Sequence, residues 1–281
     1  SVETPSVKAS IKSIINNKPI LLMTLSQILG SFAVGGSKQD YYIDVLNFAS
    51  LGLITGIPGS IINPFSYMAV PWFRRHFSSR FLYIIGNKID GILLVPVFLV
   101  GCIGGKKHGL YKNIWVMGIA MMLWETIFMI FYGVRRIIPT EMYNEAMDYC
   151  EWKNGYRTEG MTSVAQGLAS KLASIFSRYI SNYIKQLIGY DLTRYVRGTA
   201  QTDETKFGLF AMFTIVPFLT GMISIIPMLF YDLSGKKKEK MYEELLERRA
   251  AMSKEATSGD LEALERLAKA QMEIGNMKQE L

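Results

Sequence analysis

The chain has 281 residues, 49% of them hydrophobic and 12% aromatic, with a formal net charge of +7. A soluble protein of this length spreads its apolar residues at helix or strand period; here they gather into long blocks with the charges between them, which excludes an ordinary soluble domain. Cys102 and Cys150, and likewise His76 and His108, fall in separate segments, so disulfide frameworks, metal clusters and nucleophile–base pairs are excluded, and the positive charge reads as basic loops facing anionic lipid, not as a nucleic-acid footprint.

The first eighteen residues, SVETPSVKASIKSIINNK, are polar and weakly basic and lack a signal-peptide pattern. Starting at Ser1, they read as a loop cut from something longer. Crossing about 30 Å of hydrocarbon takes roughly 20 mainly apolar residues in a helix. Six blocks meet that need, at 19–47, 50–72, 80–104, 112–139, 160–189 and 207–232. The expected architecture is an all-α integral membrane fold: a cytoplasmic loop segment over 1–18, a six-helix bundle over 19–235, and a cytoplasmic charged tail over 236–281.

The first block carries Lys38 and Asp40 in its outer part, where they need protein or water rather than lipid. The second contains Gly52, Gly56, Pro58, Gly59 and Pro64. Its GxxxG spacing admits a close neighbour, either for plain packing or for a helix that rocks and kinks. In the third block Lys88 and Asp90 are two residues apart and point to different faces, so they do not pair with each other. The fourth holds Glu125 near its centre and Arg135 and Arg136 toward the cytoplasm. Glu125 is open to two readings: an ion pair with Lys171 or Arg178, or a site for a proton or cation.

After the fourth block, Glu141, Glu145 and Asp148 fall at i, i+4 and i+7 and make one acidic helix face. That face either lies in solvent or latches an inner gate through Arg74, Arg75 or Arg80, since exposed ion pairs give only ~0–1 kcal/mol each and open readily. In the fifth block Lys171, Arg178 and Lys185 recur every seven residues on one face, and Gln166, Ser163, Ser170, Ser174 and Ser177 keep the helix polar. Such a helix lines a cavity or a polar interface. Lys185 is close enough to the end to snorkel; Lys171 is too deep for that, which leaves a cavity role or a structural ion pair. In the tail Leu245, Leu246, Leu261, Leu264 and Leu267 recur at helical spacing, with Gly259-Asp260 as a break, and the segment reads as a solvated helix.

Orientation follows the lysines and arginines of short loops. With the N-terminus inside, Lys8, Lys12, Lys18, Arg74, Arg75, Arg80, Arg135, Arg136, Lys153, Arg157 and Lys236 to Lys238 are all cytoplasmic. Both termini are then expected inside a multi-pass protein of the cell membrane.

The run from Glu145 to Gly160, EAMDYCEWKNGYRTEG, resembles the D-x-x-D-Y-G-E-x-K-x-G-x-R-x-E-G signature of the glycoside–pentoside–hexuronide:cation symporters, the melibiose-permease-like family of the major facilitator superfamily. PWFRRHFSSR resembles the basic loop between the family's eighth and ninth helices, Gly189-Tyr190-Asp191 the close of the eleventh, and Ser1 to Lys18 the interdomain loop. The resemblance implies the C-terminal half of such a carrier. It implies a central-cavity position for Lys171, with Gln166 and Arg157 also matching, and an inner gate over Glu141 to Arg157. Glu145 and Cys150 replace an aspartate and a glycine, both mild changes. Arg136 stands where melibiose permease has a cavity-side tryptophan, which with Lys171 and Arg178 leaves room for an anionic sugar such as a glucuronide.

Also implied are alternating access and coupling to Na⁺, Li⁺ or H⁺, the ion being held mainly by an N-terminal half absent from this chain. No organic cofactor and no enzymatic activity are expected. The partners are membrane lipid, a sugar or sugar acid, and either that N-terminal six-helix half or a second copy, with no nucleic acid. A half-protein that no longer transports and serves as a membrane scaffold or regulator is the competing expectation.

Overall fold

The computed structural model describes residues 15–155, 159–191, 193–194 and 200–258, and no strand occurs among them. The helices are α1 (Lys18–Ser31), α2 (Lys38–Asp44), α3 (Leu51–His76), α4 (Ser79–Gly101), α5 (Ile114–Ile130), α6 (Tyr132–Asn154), α7 (Glu159–Leu187), α8 (Asp203–Gly221) and α9 (Lys236–Ser258). Several starts are written locally. Ser37, Ser78, Asn113 and Thr202 each accept a hydrogen bond from a first-turn backbone N–H of the helix that follows, filling donors that have no partner within the helix.

Among the described residues three stretches are long and apolar enough to cross a membrane: Ser79–Gly101, Ile114–Asn154 and Asp203–Leu229. The other three expected spans are less uniform. The first block is two helices, α1 and α2, separated by a non-helical stretch from Ala33 to Ser37. α3 runs 26 residues straight through Pro58, Pro64 and Pro71, and α7 carries the three basic residues and the serines. Large side chains such as Leu53, Met68, Trp115 and Tyr179 lie on the outside. A belt of that kind marks a surface meant for lipid or another protein.

The chain divides into two compact units. One gathers Ser26–Ile138 with Ala169–Ile226. Within it α3 lies along α5, and α4 packs against both α8 and α5. Gly56 and Gly59 of α3 face α5: a Cβ on Gly59 would fall 2.9 Å from Met129 Cγ. Closer still, a Cβ on Gly133 would lie 2.5 Å from the Ser66 carbonyl oxygen, so only glycine lets these two backbones meet. The core sits around α2, where Tyr41, Tyr42, Tyr111, Met117, Met121 and Phe210 are fully enclosed. Tyr41 stacks on Phe213 at 5.8 Å between ring centroids, and its hydroxyl donates to the Tyr111 carbonyl at 2.6 Å. The polar end of the Tyr41 ring is thereby satisfied where no water reaches it.

The other unit gathers Ser1–Leu25, Pro139–Leu168 and Pro227–Leu281. Here the tail is not the solvated helix expected from sequence. α9 buries Met241 and Leu245 completely, and its Lys238 and Arg249 pair with acids of α6. Of the leucines at helical period, Leu245 is buried and Leu246 exposed, the charges of α9 meet the acidic face of α6, and Leu261, Leu264 and Leu267 with Gly259-Asp260 lie outside the described residues.

Candidate functional site

A span broken inside a membrane protein must return its freed backbone groups to some partner. Between α1 and α2 the partners are hydroxyls from α7 and α8. Ser177 donates to the Ala33 carbonyl at 2.6 Å, and the Gly35 N–H donates to Ser181 at 3.2 Å. The Thr220 hydroxyl accepts from the Val34 N–H at 3.0 Å and shares its hydrogen between the Val34 carbonyl at 3.1 Å and the Val216 carbonyl of its own helix at 2.8 Å. The Gly36 N–H donates to the Met212 carbonyl at 2.7 Å. A Cβ on Gly35 would sit 2.6 Å from Pro217 Cγ, so the glycine is needed for the break to nest against α8.

Immediately after the break come two ion pairs. Lys38 Nζ lies 3.2 Å from Glu125 Oε2 and 3.5 Å from Oε1, with the ring centroids of Tyr42 and Trp124 each 5.8 Å away. Thr55 donates to the same Glu125 oxygen at 3.3 Å. Glu125 also borders a cleft of about 520 Å³ that Gly52, Gly56, Ser60 and Met129 help to line. On the next face of α2, Asp40 is held by Lys185, and Asp44 accepts from Tyr190 at 2.9 Å.

These contacts revise several sequence expectations. Glu125 does pair, but with Lys38 and not with Lys171 or Arg178. The reason lies in α7, which buries Gln166, Ala173, Ser177 and Ser181 and so turns Lys171 and Arg178 to an exposed flank. Neither makes an ion pair among the described residues. Lys185, expected to snorkel, is instead tied to Asp40. Lys88 and Asp90 take separate partners: Lys88 donates to the Gly221 carbonyl at 2.7 Å, and Asp90 lies 3.4 Å from Arg135.

Gln166 is buried and donates to Thr24. Arg136 is exposed, with its Nε donating to Tyr132 one turn back at 3.1 Å. Arg74 and Arg75 occupy the last turn of α3, where positive charge complements the helix dipole. On α6, Glu145 is paired with Lys238, and Asp148 lies 3.0 Å from Arg249, which also reaches Glu151 at 2.6 Å. Glu141 lies half-buried on the same helix. Arg157 falls outside the described residues. Thr55 and Tyr42 escaped sequence reasoning because an isolated threonine or tyrosine in an apolar block carries no period or charge to single it out. Lys38 and Asp40 were visible as misplaced charges, but their partners lie 87 and 145 residues away.

Residues 3–235 match the family model described as MFS/sugar transport protein. Among curated proteins the chain is 23% identical to the glucuronide carrier protein homolog of Escherichia coli K12 over 251 residues, covering 87% of this chain and 50% of that protein. It is 25% identical to the putative sulfoquinovose importer of the same strain over 260 residues, covering 87% and 49%. An uncharacterized symporter of Bacillus subtilis is 24% identical, over 86% of this chain and 50% of its own length. The chain therefore spans about half the length of the curated relatives it matches. All three bear the names of carriers, importers or symporters rather than of enzymes. With most of its length under one family model and its acidic signature on α6, the chain belongs to the MFS/sugar transport family, the glycoside–pentoside–hexuronide:cation symporters of the major facilitator superfamily.

Proposed function

We propose that this chain forms one six-helix wall of a carrier that moves an acidic sugar together with a cation by alternating access, the facing wall being an N-terminal six-helix half or a second copy. α1 with α2, α3, α4, α5 running into α6, α7 and α8 would be the six spans, both termini lying in the cytoplasm. The observation that carries this reading is the break between α1 and α2, flanked by Lys38–Glu125 and Asp40–Lys185. Secondary carriers of many folds hold their solutes at interrupted helices lined by polar groups, and ionisable side chains within a span are expensive enough to imply use.

An acidic ligand suits the exposed basic flank of α7, Lys171 and Arg178, together with Arg136 on α6. A glucuronide carries a carboxylate and sulfoquinovose a sulfonate, and these are the solutes in the names of two relatives. The coupling ion, Na⁺, Li⁺ or H⁺, would be held mainly by the facing wall. Glu141, Glu145, Asp148, Arg157, Arg74 and Arg75 would belong to the cytoplasmic gate. Uptake of a radiolabelled glucuronide into cells expressing the chain alone, or joined to a six-helix partner, tests the reading. Uptake driven by a cation gradient and competed by other acidic sugars is the expected result; no uptake in either form would overturn it.

A further inference from the structure

We propose that Lys38 and Glu125 form a charge-exchange site: the acid group of the sugar takes over the Lys38 ammonium, and Glu125, left without its cation, takes up one proton. This rests on the reading above that the ligand is an acidic sugar.

The two partners are unequally placed. The Lys38 side chain is 32% exposed and that of Glu125 13%, so an arriving anion meets the cation first. Tyr42 and Trp124 hold the ammonium from the side by their ring faces. Cation–π contacts position a charge without neutralising it, which lets Lys38 change anions while staying where it is. Glu125 is anchored through Oε2 by Lys38 and Thr55. Its Oε1 is turned toward the cleft, at the place where a side chain on Gly56 would stand: a Cβ there would come within 3.5 Å of it.

Once Lys38 turns to the ligand, Glu125 is a largely enclosed carboxylate whose remaining partner is one hydroxyl. Burial without a counter-charge disfavours the ionised form and raises a carboxyl's proton affinity. Among the described residues, the neighbouring charged groups of α2 and α4 have partners of their own. On α2, Asp40 is engaged by Lys185 and Asp44 by Tyr190; Tyr42 lies beside Thr55. On α4, Asp90 is engaged by Arg135 and Lys88 by the Gly221 carbonyl. From α3 the group facing Glu125 is Thr55, which is uncharged.

The exchange balances. Before it the site holds one ammonium and one carboxylate; after it, one ammonium, one ligand anion and one neutral carboxylic acid. The proton comes from an acid of the surrounding solution, hydronium or buffer, whose bond to hydrogen breaks as the Glu125 O–H forms; no other covalent bond changes, and the net charge of the site is unchanged. An anionic solute would thus enter a low-dielectric site without leaving a net charge there.

The test is calorimetry on the intact carrier in detergent, titrated with methyl β-D-glucuronide and methyl β-D-glucoside in two buffers of different ionisation enthalpy, which reads protons taken up per ligand bound. For the wild type about one proton per glucuronide and about none per glucoside are expected near neutral pH. In Glu125→Gln the glucuronide should bind without proton uptake. Lys38→Met should weaken glucuronide binding about tenfold or more while glucoside binding stays within about twofold, and Lys38→Arg should restore most of the loss. Retained glucoside binding shows that the variants are folded. Unchanged proton uptake in Glu125→Gln, or unchanged glucuronide affinity in Lys38→Met, would overturn the exchange. A wild type that binds glucuronide with no proton uptake overturns the exchange alone, whereas one that binds only glucoside overturns the acidic-ligand reading and the exchange with it.

Discussion

Lys171 stands on the uncovered side of α7, and its nearest sequence relatives on that stripe, Arg178 and Lys185, meet different fates. Lys185 is spent on Asp40, while Lys171 and Arg178 are exposed. Lys171→Ala is therefore expected to lower transport at least tenfold while membrane insertion, followed by expression in the membrane fraction, stays near wild type. Wild-type uptake rates in that variant would remove Lys171 from the solute path. Arg136 is exposed on its helix, so Arg136→Trp should cost little stability. Its expected effect is a weaker preference for acidic over neutral sugars in competition assays. At this scale the sequence told which residues are costly in a membrane and little about whom they meet. A heptad-like spacing gives a face but not the identity of the helix opposite, and for Glu125 the choice of Lys171 or Arg178 passed over Lys38, whose α2 turns back against α5 only because α1 breaks first.

The elements divide by how their apolar residues are arranged. α4, the stretch from α5 into the start of α6, and α8 carry long apolar runs and were legible as spans. The break between α1 and α2 was not, because the apolar residues continue across it and no proline marks it. Its signal is the pair Gly35-Gly36 followed by Ser37, Lys38 and Asp40, small and polar residues where a helix would need bulk. Thr220→Val removes both of the hydroxyl's bonds to Val34 and leaves a buried N–H without a partner. A loss of about 1–3 kcal/mol is expected, read as a lower midpoint in thermal unfolding in detergent; Ser31→Ala, whose hydroxyl bonds only within its own helix, should change far less. Gly133→Ala, forced against the Ser66 backbone, should cost about 1–3 kcal/mol by overpacking.

For the molecule as a whole, the tail is the largest departure from expectation. Spacing showed a helix over its first part, but a run of charges looks the same whether it faces water or a complementary face, and only the fold brings Lys238 and Arg249 to α6. Asp232 adds to this docking by accepting from Lys18 at 3.2 Å and from Lys237 at 3.1 Å. Burial pushes its carboxyl up, but the hydrogen bonds and charge of Lys237 and Lys18 outweigh that and hold it below the ordinary 3.8. A carboxyl depressed in the folded state contributes stability that is present above its ordinary value and lost as pH falls through the folded value. Protection of the α9 amides, corrected for the intrinsic pH dependence of exchange, should thus be steady from neutral to mildly acid solution and fall below about pH 4. Orientation is open to a direct check: Lys107→Cys and Lys240→Cys, labelled with an impermeant maleimide in intact cells, are expected to react and to stay protected, respectively.

The hydroxyls that close the gap after Ser31 lie between 144 and 186 residues further along the chain. During synthesis the α1–α2 segment therefore emerges long before anything exists to satisfy its peptide groups at Val34 and Gly35. It must wait, at the translocon or under a chaperone, until α7 and α8 arrive. Maturation is thus a matter of α7 and α8 rescuing the α1–α2 segment, and a chain stopped after α6 should be a substrate for membrane quality control rather than a smaller stable product.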